Sequence, residues 1–316
     1  MSGPDLPGEA VELLTVGETM ACFVPDGDRW HLIDAGAESN VASSTARLGV
    51  RTRWVSRVGD DLAGRTVTGA VQRRGVEVVV DVDPDRPTGL LLRELSAGKA
   101  VPRYYRRGSA ASRLDLLPAG ALGDARWLHV TGITPALSRE DSAFVRDLLT
   151  TTSAGRTSMD INLRAPLWPD LATAREVLTD LARLVDLVFV GDDEARLLFG
   201  SDDATVLRTM LDVRGERVLV LKRGSGVASW ITADREIAVP ALPAHVLDPT
   251  GAGDAFAAGV LAGALRGLAP SDCLELGHLM GRAAVQSRGD VPERIPEDAD
   301  RLLTTTMAPG NGGGGR

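Results

Sequence analysis

The stretch Asp248-Pro249-Thr250-Gly251-Ala252-Gly253-Asp254-Ala255-Phe256 has the residue types needed to move a charged group. Gly251 and Gly253 remove side chains just before an apolar run, Ala255 to Leu265, that reads as a buried helix. Bare backbone N–H groups at a helix N-terminus form a ready anion site. A carboxylate there would repel a resting anion. Asp254 makes chemical sense if it takes a proton from a hydroxyl while the amides of Gly251, Ala252 and Gly253 stabilise a phosphoryl group in flight. The alternative is a plain helix start with Asp254 as its N-cap, because short glycine motifs also arise by chance.

Other segments carry potential chemistry, each with a plainer reading beside it. In Arg103-Tyr104-Tyr105-Arg106-Arg107, alternation puts Tyr104 and Arg106 on one side of a strand. A guanidinium beside a phenol can grip a carboxylate by charge-assisted bonds, which a neutral sugar would not need. The plainer reading is a solvated basic face. Asp160-Ile161-Asn162-Leu163-Arg164 follows a strand and so lies at a sheet's carboxyl end, where ligands bind in open α/β folds. The plainer reading is a loop with an exposed Arg; taken with the Tyr104–Arg106 segment, a functional role is favoured. Gly36-Ala37-Glu38-Ser39-Asn40-Val41-Ala42 has small residues at helical spacing, which by itself implies close packing. Gly191-Asp192-Asp193-Glu194 reads first as an acidic helix start, favourable to the helix dipole.

Alternating elements must position these groups. Strands are expected at 127–130, 157–161, 187–190 and 218–222, with helices near 138–150, 173–184, 193–199 and 201–213. Helices also fit 40–48 and 62–74, and strands fit 11–16 and 52–58. This rhythm argues for an α/β fold, a mostly parallel sheet with helices on both faces. The extended segments before residue 110 have short turns and fit a smaller lid sheet on one edge. A single domain over 11–305 follows, with lid strands drawn from about 17–35 and 86–110. Residues 1–10 read as a flexible polar start, and the Gly-rich stretch 306–316 as a disordered tail.

Composition narrows the function classes. The chain has 316 residues, 44% of them hydrophobic, enough for a large core, but only 4% aromatic, so Ala, Val and Leu must fill it. A net charge of -8 argues against nonspecific nucleic-acid binding and against an anionic membrane surface. No apolar run approaches the ~20 residues of a membrane span. Cys22 and Cys273 form no CxxC pair, and His31, His129, His245 and His278 have no metal-ligand spacing. A cytoplasmic protein with reduced thiols is expected. GxxxxGK[ST] is absent, and Phe256 stands where GxGxxG needs its last glycine, so neither a P-loop nor a dinucleotide fingerprint is present.

The segment Asp248 to Gly259 resembles the C-terminal signature of the ribokinase-like (PfkB) carbohydrate kinases. Gly36 to Gly49, with Gly59-Asp60-Asp61 and Gly64, is similar to their N-terminal signature. Tyr104-Tyr105-Arg106 before Gly108-Ser109-Ala110, Asp160 to Arg164 before Leu167-Trp168, and Gly132 to Ser138 resemble the 2-keto-3-deoxygluconate kinase branch. The likeness runs from about Leu14 to Asp290. It implies a ribokinase-like three-layer α/β/α fold with a small β-sheet lid.

It also implies roles. Gly36, Asn40, Tyr104, Arg106, Arg164, Asp254 and Asp290 fall on sugar-acid positions. Lys222, Arg223, Gly224 and Gly226 lie along the ATP, and Glu194 helps place Mg²⁺ through water. The implied reaction is ATP-dependent phosphorylation of 2-keto-3-deoxygluconate to its 6-phosphate, with Asp254 as general base and the anion hole at Gly251, Ala252 and Gly253. Monovalent-cation activation is known in the family. Ala35, Leu91, Leu163 and Gly191 depart from the pattern, which shows Gly, Tyr, Tyr and Asn at such positions. Rival readings are a kinase for fructose, ribose or a nucleoside, and a sugar-acid-binding protein without catalysis. A lid with an apolar outer face would favour a homo-oligomer.

Overall fold

The computed structural model describes residues 9–96 and 99–305. The segments 1–8 and 306–316, expected to be a flexible start and a disordered tail, lie outside the described residues. The chain opens with strand β1 (Val11–Val16), then β2 (Met20–Asp26) and β3 (Arg29–Ala35), and enters helix α1 (Ala37–Arg47). Next come β4 (Thr52–Gly59), α2 (Leu62–Arg73) and β5 (Glu77–Asp83). A pair of strands follows, β6 (Leu90–Ser96) and β7 (Lys99–Tyr105). Alternation then sets in with β8 (Ala125–Thr131), α3 (Arg139–Thr151), β9 (Arg156–Asp160) and α4 (Leu171–Ala182). It continues through β10 (Leu187–Gly191), α5 (Asp192–Phe199), α6 (Ala204–Met210) and β11 (Val218–Lys222). Strands β12 (Val227–Ile231) and β13 (Glu236–Pro240) precede helices α7 (Ala252–Leu265), α8 (Pro270–Val285) and α9 (Glu297–Thr305).

The large sheet runs β13-β12-β11-β10-β9-β8-β1-β4-β5, parallel except at β12 and β13, and the small sheet runs β3-β2-β6-β7. Strands β1, β4 and β5 therefore join the large sheet, although they precede residue 110. The reason is that α1 lies on the connection from β1 to its parallel neighbour β4, and α2 on that from β4 to β5.

Parallel strands covered on both faces read as continuous apolar runs, and β10 shows how each face is served. Val188 and Val190 pack with Leu148 of α3 and with Leu178 of α4, while Leu187 and Phe189 pack with α7 and α8. Two cores thus sandwich one sheet. Each fully buried side chain of this size contributes about 1.5–3 kcal/mol. Local signals fix the helix starts. Asp61, Ser138 and Asp170 accept the amides of Gly64, Asp141 and Thr173 at 2.6, 2.9 and 2.7 Å. Such a cap is worth about 1 kcal/mol.

The small sheet faces the carboxyl ends of the large one with Met20, Cys22, Ile33, Ala35 and Leu91. Its other face packs Ala21 and Leu90 on α2. Cys22 and Cys273 are free, buried thiols. Among the described residues, no helix is long and apolar enough to cross a membrane.

Candidate active site

Strands β9, β10 and β11 end side by side at Asp160, Gly191 and Lys222. Their carboxyl ends face the N-terminus of α7 across a cleft of about 810 Å³, with the small sheet closing the remaining side. Gly251 is the N-cap of α7, at φ +75°, a left-handed conformation that favours glycine. A Cβ there would also run into the backbone carbonyl of Asp290. The position therefore accepts nothing larger. Of the first amides of α7, Ala252 donates to the Pro249 carbonyl at a long 3.4 Å, and among the described residues those of Gly253 and Asp254 have no backbone acceptor.

Asp254 is the third residue of α7, so it is not the N-cap. Its carboxylate caps nothing and is held by side chains instead. Asn40 of α1 donates to Oδ2 at 2.8 Å, and Asn162 donates to Oδ1 at 3.3 Å. Asn162 adopts a left-handed φ of +38° just past β9. Burial pushes the Asp254 carboxyl up to about 7; the Asn40 bond opposes this, the Asp160 charge adds to it, and Arg164 and Lys222 oppose it. The carboxylate opens on the cleft but is otherwise sunk in protein. A pKa near neutrality suits a general base.

Lys222, expected along the nucleotide, lies beneath this centre and donates from Nζ to Asp160 Oδ2 at 2.6 Å. Burial alone would lower the ammonium pKa, but Asp160 and Glu194 outweigh it and hold the group above its ordinary value. Its Nζ also lies next to Gly253. Glu194 folds back on its own helix start. Its Oε2 accepts the Gly191 amide at 2.8 Å, and Oε1 accepts the Leu163 amide at 2.7 Å. It thus fixes the loop that carries Asn162 and Arg164. Burial, and then the Asp160 charge, raise the Glu194 pKa.

On the opposite side, the backbone of Gly36 presses against the carbonyl of Glu18, leaving no room for a Cβ. Arg106 is buried and pairs with Glu18, which also accepts from Ser109 Oγ at 2.5 Å. The Arg106 guanidinium sits 5.8 Å from the Tyr104 ring centroid, and its Nε has no hydrogen-bond partner. Arg164 is exposed and donates only to the Leu163 carbonyl, at 3.3 Å. Asp290 is buried and pairs with Arg93 of β6.

The cleft therefore gathers Gly36, Asn40, Tyr104, Arg106, Arg164 and Asp290 with Lys222, Arg223 and Gly224, and also with Glu194 and the 251–254 turn. Gly226 is the exception. It stands off the cleft, its amide bonded to the Arg223 carbonyl at 2.8 Å and its carbonyl accepting from Ala241 at 2.6 Å. Arg223 bonds Ser229 Oγ at 2.8 Å beside the same turn. Asn162 and Glu18 line the site, and Arg93 backs it through Asp290, although the sequence did not single them out. Asn162 sits inside a segment the sequence did flag, whereas Glu18 and Arg93 are isolated charges with remote partners. Among the described residues, no group of three or more His, Cys, Asp or Glu is placed to hold a metal ion.

The model of the pfkB family of carbohydrate kinases matches residues 12–297. A 2-dehydro-3-deoxygluconokinase of Bacillus subtilis (strain 168) is 37% identical over 296 residues, 89% of this chain and 91% of that protein. One from Thermoproteus tenax is 36% identical over 279 residues, 85% of each. The crystal structure of a PfkB protein from Polaromonas sp. JS666 superposes with a TM-score of 0.78 at 31% identity, over 89% of this chain and 97% of that one.

Proposed function

Because the chain belongs to the pfkB family of carbohydrate kinases, we propose that it phosphorylates 2-keto-3-deoxygluconate (2-dehydro-3-deoxygluconate) at its terminal hydroxyl. The hydroxyl oxygen attacks the γ-phosphorus of ATP, and the bond from that phosphorus to the β–γ bridging oxygen breaks. The hydroxyl proton passes to Asp254. The 6-phosphate and ADP leave. Asn40 and Asn162 aim the carboxylate, and the amides of Gly251, Ala252 and Gly253 meet the charge that grows on the transferring group. Mg²⁺, when bound, neutralises charge on the β- and γ-phosphates. An ion that arrives on ATP keeps several waters and needs only one or two carboxylates, so the absence of a cage among the described residues fits it. Glu194 would hold it through water.

The observation that supports this reading best is the pairing of unlike groups in one cleft. A carboxyl with a pKa near 7 stands in the first turn of α7, and Arg106, Arg164 and Tyr104 line the same space. Arg164 supplies the free charge for a substrate carboxylate, with Tyr104 as a further donor and Arg106 held beside it by Glu18. A second reading rests on one contact: Glu18 already neutralises Arg106, which suits a neutral sugar such as fructose.

An ATP-consumption assay with Mg²⁺ separates the two readings. The acceptors are 2-keto-3-deoxygluconate, its galacto epimer, gluconate, fructose and ribose. Turnover confined to the keto-deoxy acids, and lost in Arg164→Ala, is the expected result. Turnover on fructose or ribose instead would keep the kinase and discard the acid.

A further inference from the structure

Arg93 touches neither the cleft nor any group assigned a role above, except Asp290. It lies two residues beyond Leu91 on β6, so it shares the inner face of the small sheet. Its guanidinium is only 7% exposed and forks between two carboxylates of the main body. One Nη donates to Asp248 Oδ2 at 2.6 Å, and the other donates to Asp290 Oδ1. These partners are 155 and 197 residues away in the chain.

Both carboxylates belong to the mounting of the anion hole. Asp248 Oδ1 accepts the Thr250 amide at 2.9 Å and its hydroxyl at 2.6 Å, which fixes the turn leading into Gly251. The Asp290 carbonyl abuts Gly251 from the other side. Of the acids around this pair, Asp34 is already matched by Arg74, at 2.6 Å. Moving the small sheet away would strip the guanidinium from Asp248 and Asp290 together. Two unpaired carboxylates, one of them 4% exposed, would then flank the place where phosphate charge must sit. Like charges at that distance oppose an incoming anion.

We infer that Arg93 is a positioning residue that couples closure of the small sheet to a working anion hole at Gly251. The inference rests on the kinase reading but not on the identity of the sugar. With the sheet closed, the guanidinium offsets one of the two negative charges, bonds to both carboxylates and holds the turn. With it open, the hole is both misplaced and negative. ATP is then protected from hydrolysis until an acceptor is enclosed.

The test uses the full chain and whichever acceptor the wild-type protein turns over. Arg93→Ala is expected to lower kcat about 100-fold, the scale of a small misplacement of reacting groups. It should also raise the ratio of ATP hydrolysed to sugar phosphorylated. Free guanidinium ion at a concentration that leaves the wild type unaffected should restore part of kcat, and Arg93→Lys should fall between. Hydrogen exchange gives a readout independent of activity. Exchange should rise in the small sheet and in residues 248–253 together. A kcat within about threefold of wild type, or loss without guanidinium rescue, overturns the coupling. So does faster exchange confined to the small sheet. If Arg93→Ala does not fold, Asp248→Asn cuts one arm of the fork, and the same joint rise in exchange must appear. A wild-type protein with no turnover on any acceptor would instead count against the sugar assignment, leaving the exchange experiment to decide the coupling.

Discussion

The two walls of the cleft differ in how completely their charges are satisfied. On the α7 side, Asp254 has only two amide donors and no cation in direct contact, and its pKa is pushed up to about 7. On the small-sheet side, Arg106 is paired with Glu18, and Glu18 is bonded again to Ser109. The α7 wall is left unsatisfied, on a helix start packed against α1 and α8. The recognition wall is neutralised in advance. Under the kinase reading, reactivity is set by what the core withholds around Asp254, and selectivity by the charge balance of the small-sheet side chains.

The sharpest break of this contrast is Asp254→Asn. It should lower kcat by about 1,000-fold while leaving sugar and ATP binding largely intact. The wild-type pH profile carries the same information. A base must be unprotonated, so kcat/KM should rise with pH through about 7 and fall tenfold per unit below it. An acid limb near 4 would mean that the wall is not unsatisfied at all. Gly251→Ala comes next. Its left-handed φ and the Asp290 carbonyl both oppose a Cβ, so about 1–3 kcal/mol of strain is expected. Loss of one anion-hole amide geometry should cut kcat about 100-fold. Steady-state kinetics and a melt on one preparation check both.

Glu18→Gln acts on the opposite wall. It leaves the buried Arg106 without its counter-charge, which should destabilise the fold by about 3 kcal/mol. The freed guanidinium should lower KM for a sugar acid about fivefold, with kcat unchanged, because only uniform binding is altered. A higher KM for the acid, or a gain for fructose, would favour the neutral-sugar reading.

How far these walls were legible follows from the range of each interaction. The βαβα frame shows in runs such as Leu187 to Val190, whose burial on both faces demands unbroken apolar residues. The turn before α7 shows because bare amides need glycine. Boundaries set by side-chain caps are harder. The helix expected over 201–213 spans only Ala204–Met210, because Asp203 Oδ1 takes the Thr205 and Val206 amides and Asp212 turns left-handed at φ +54°. The β12–β13 pair went unread because β13 alternates exposed and half-buried residues, a weak apolar signal. Glu18 and Arg93 were invisible for another reason. Each is a single charge whose meaning lies in a partner at least 88 residues away, Arg106 for Glu18 (106 − 18 = 88) and Asp248 for Arg93.

The smallest expected effect tests the unsatisfied wall by stability alone. Asp254 has an ordinary value of 3.8 and a folded value of about 7, so between those pH values the folded protein holds a proton that the unfolded chain has released. Its contribution to stability is full below the unfolded value and is lost as pH rises through about 7. Linkage caps the loss at about 4 kcal/mol, and screening by cleft water reduces it to about 1–2 kcal/mol. Asparagine has the shape without the charge. Asp254→Asn should therefore melt about 1.5–3 °C above the wild type at pH 8. Well below pH 3.8, where the wild-type carboxyl is protonated in both states, the two proteins should melt together. A melting difference that does not change with pH would show that the carboxyl is not strained by burial, and the contrast between the two walls would lose its electrostatic basis.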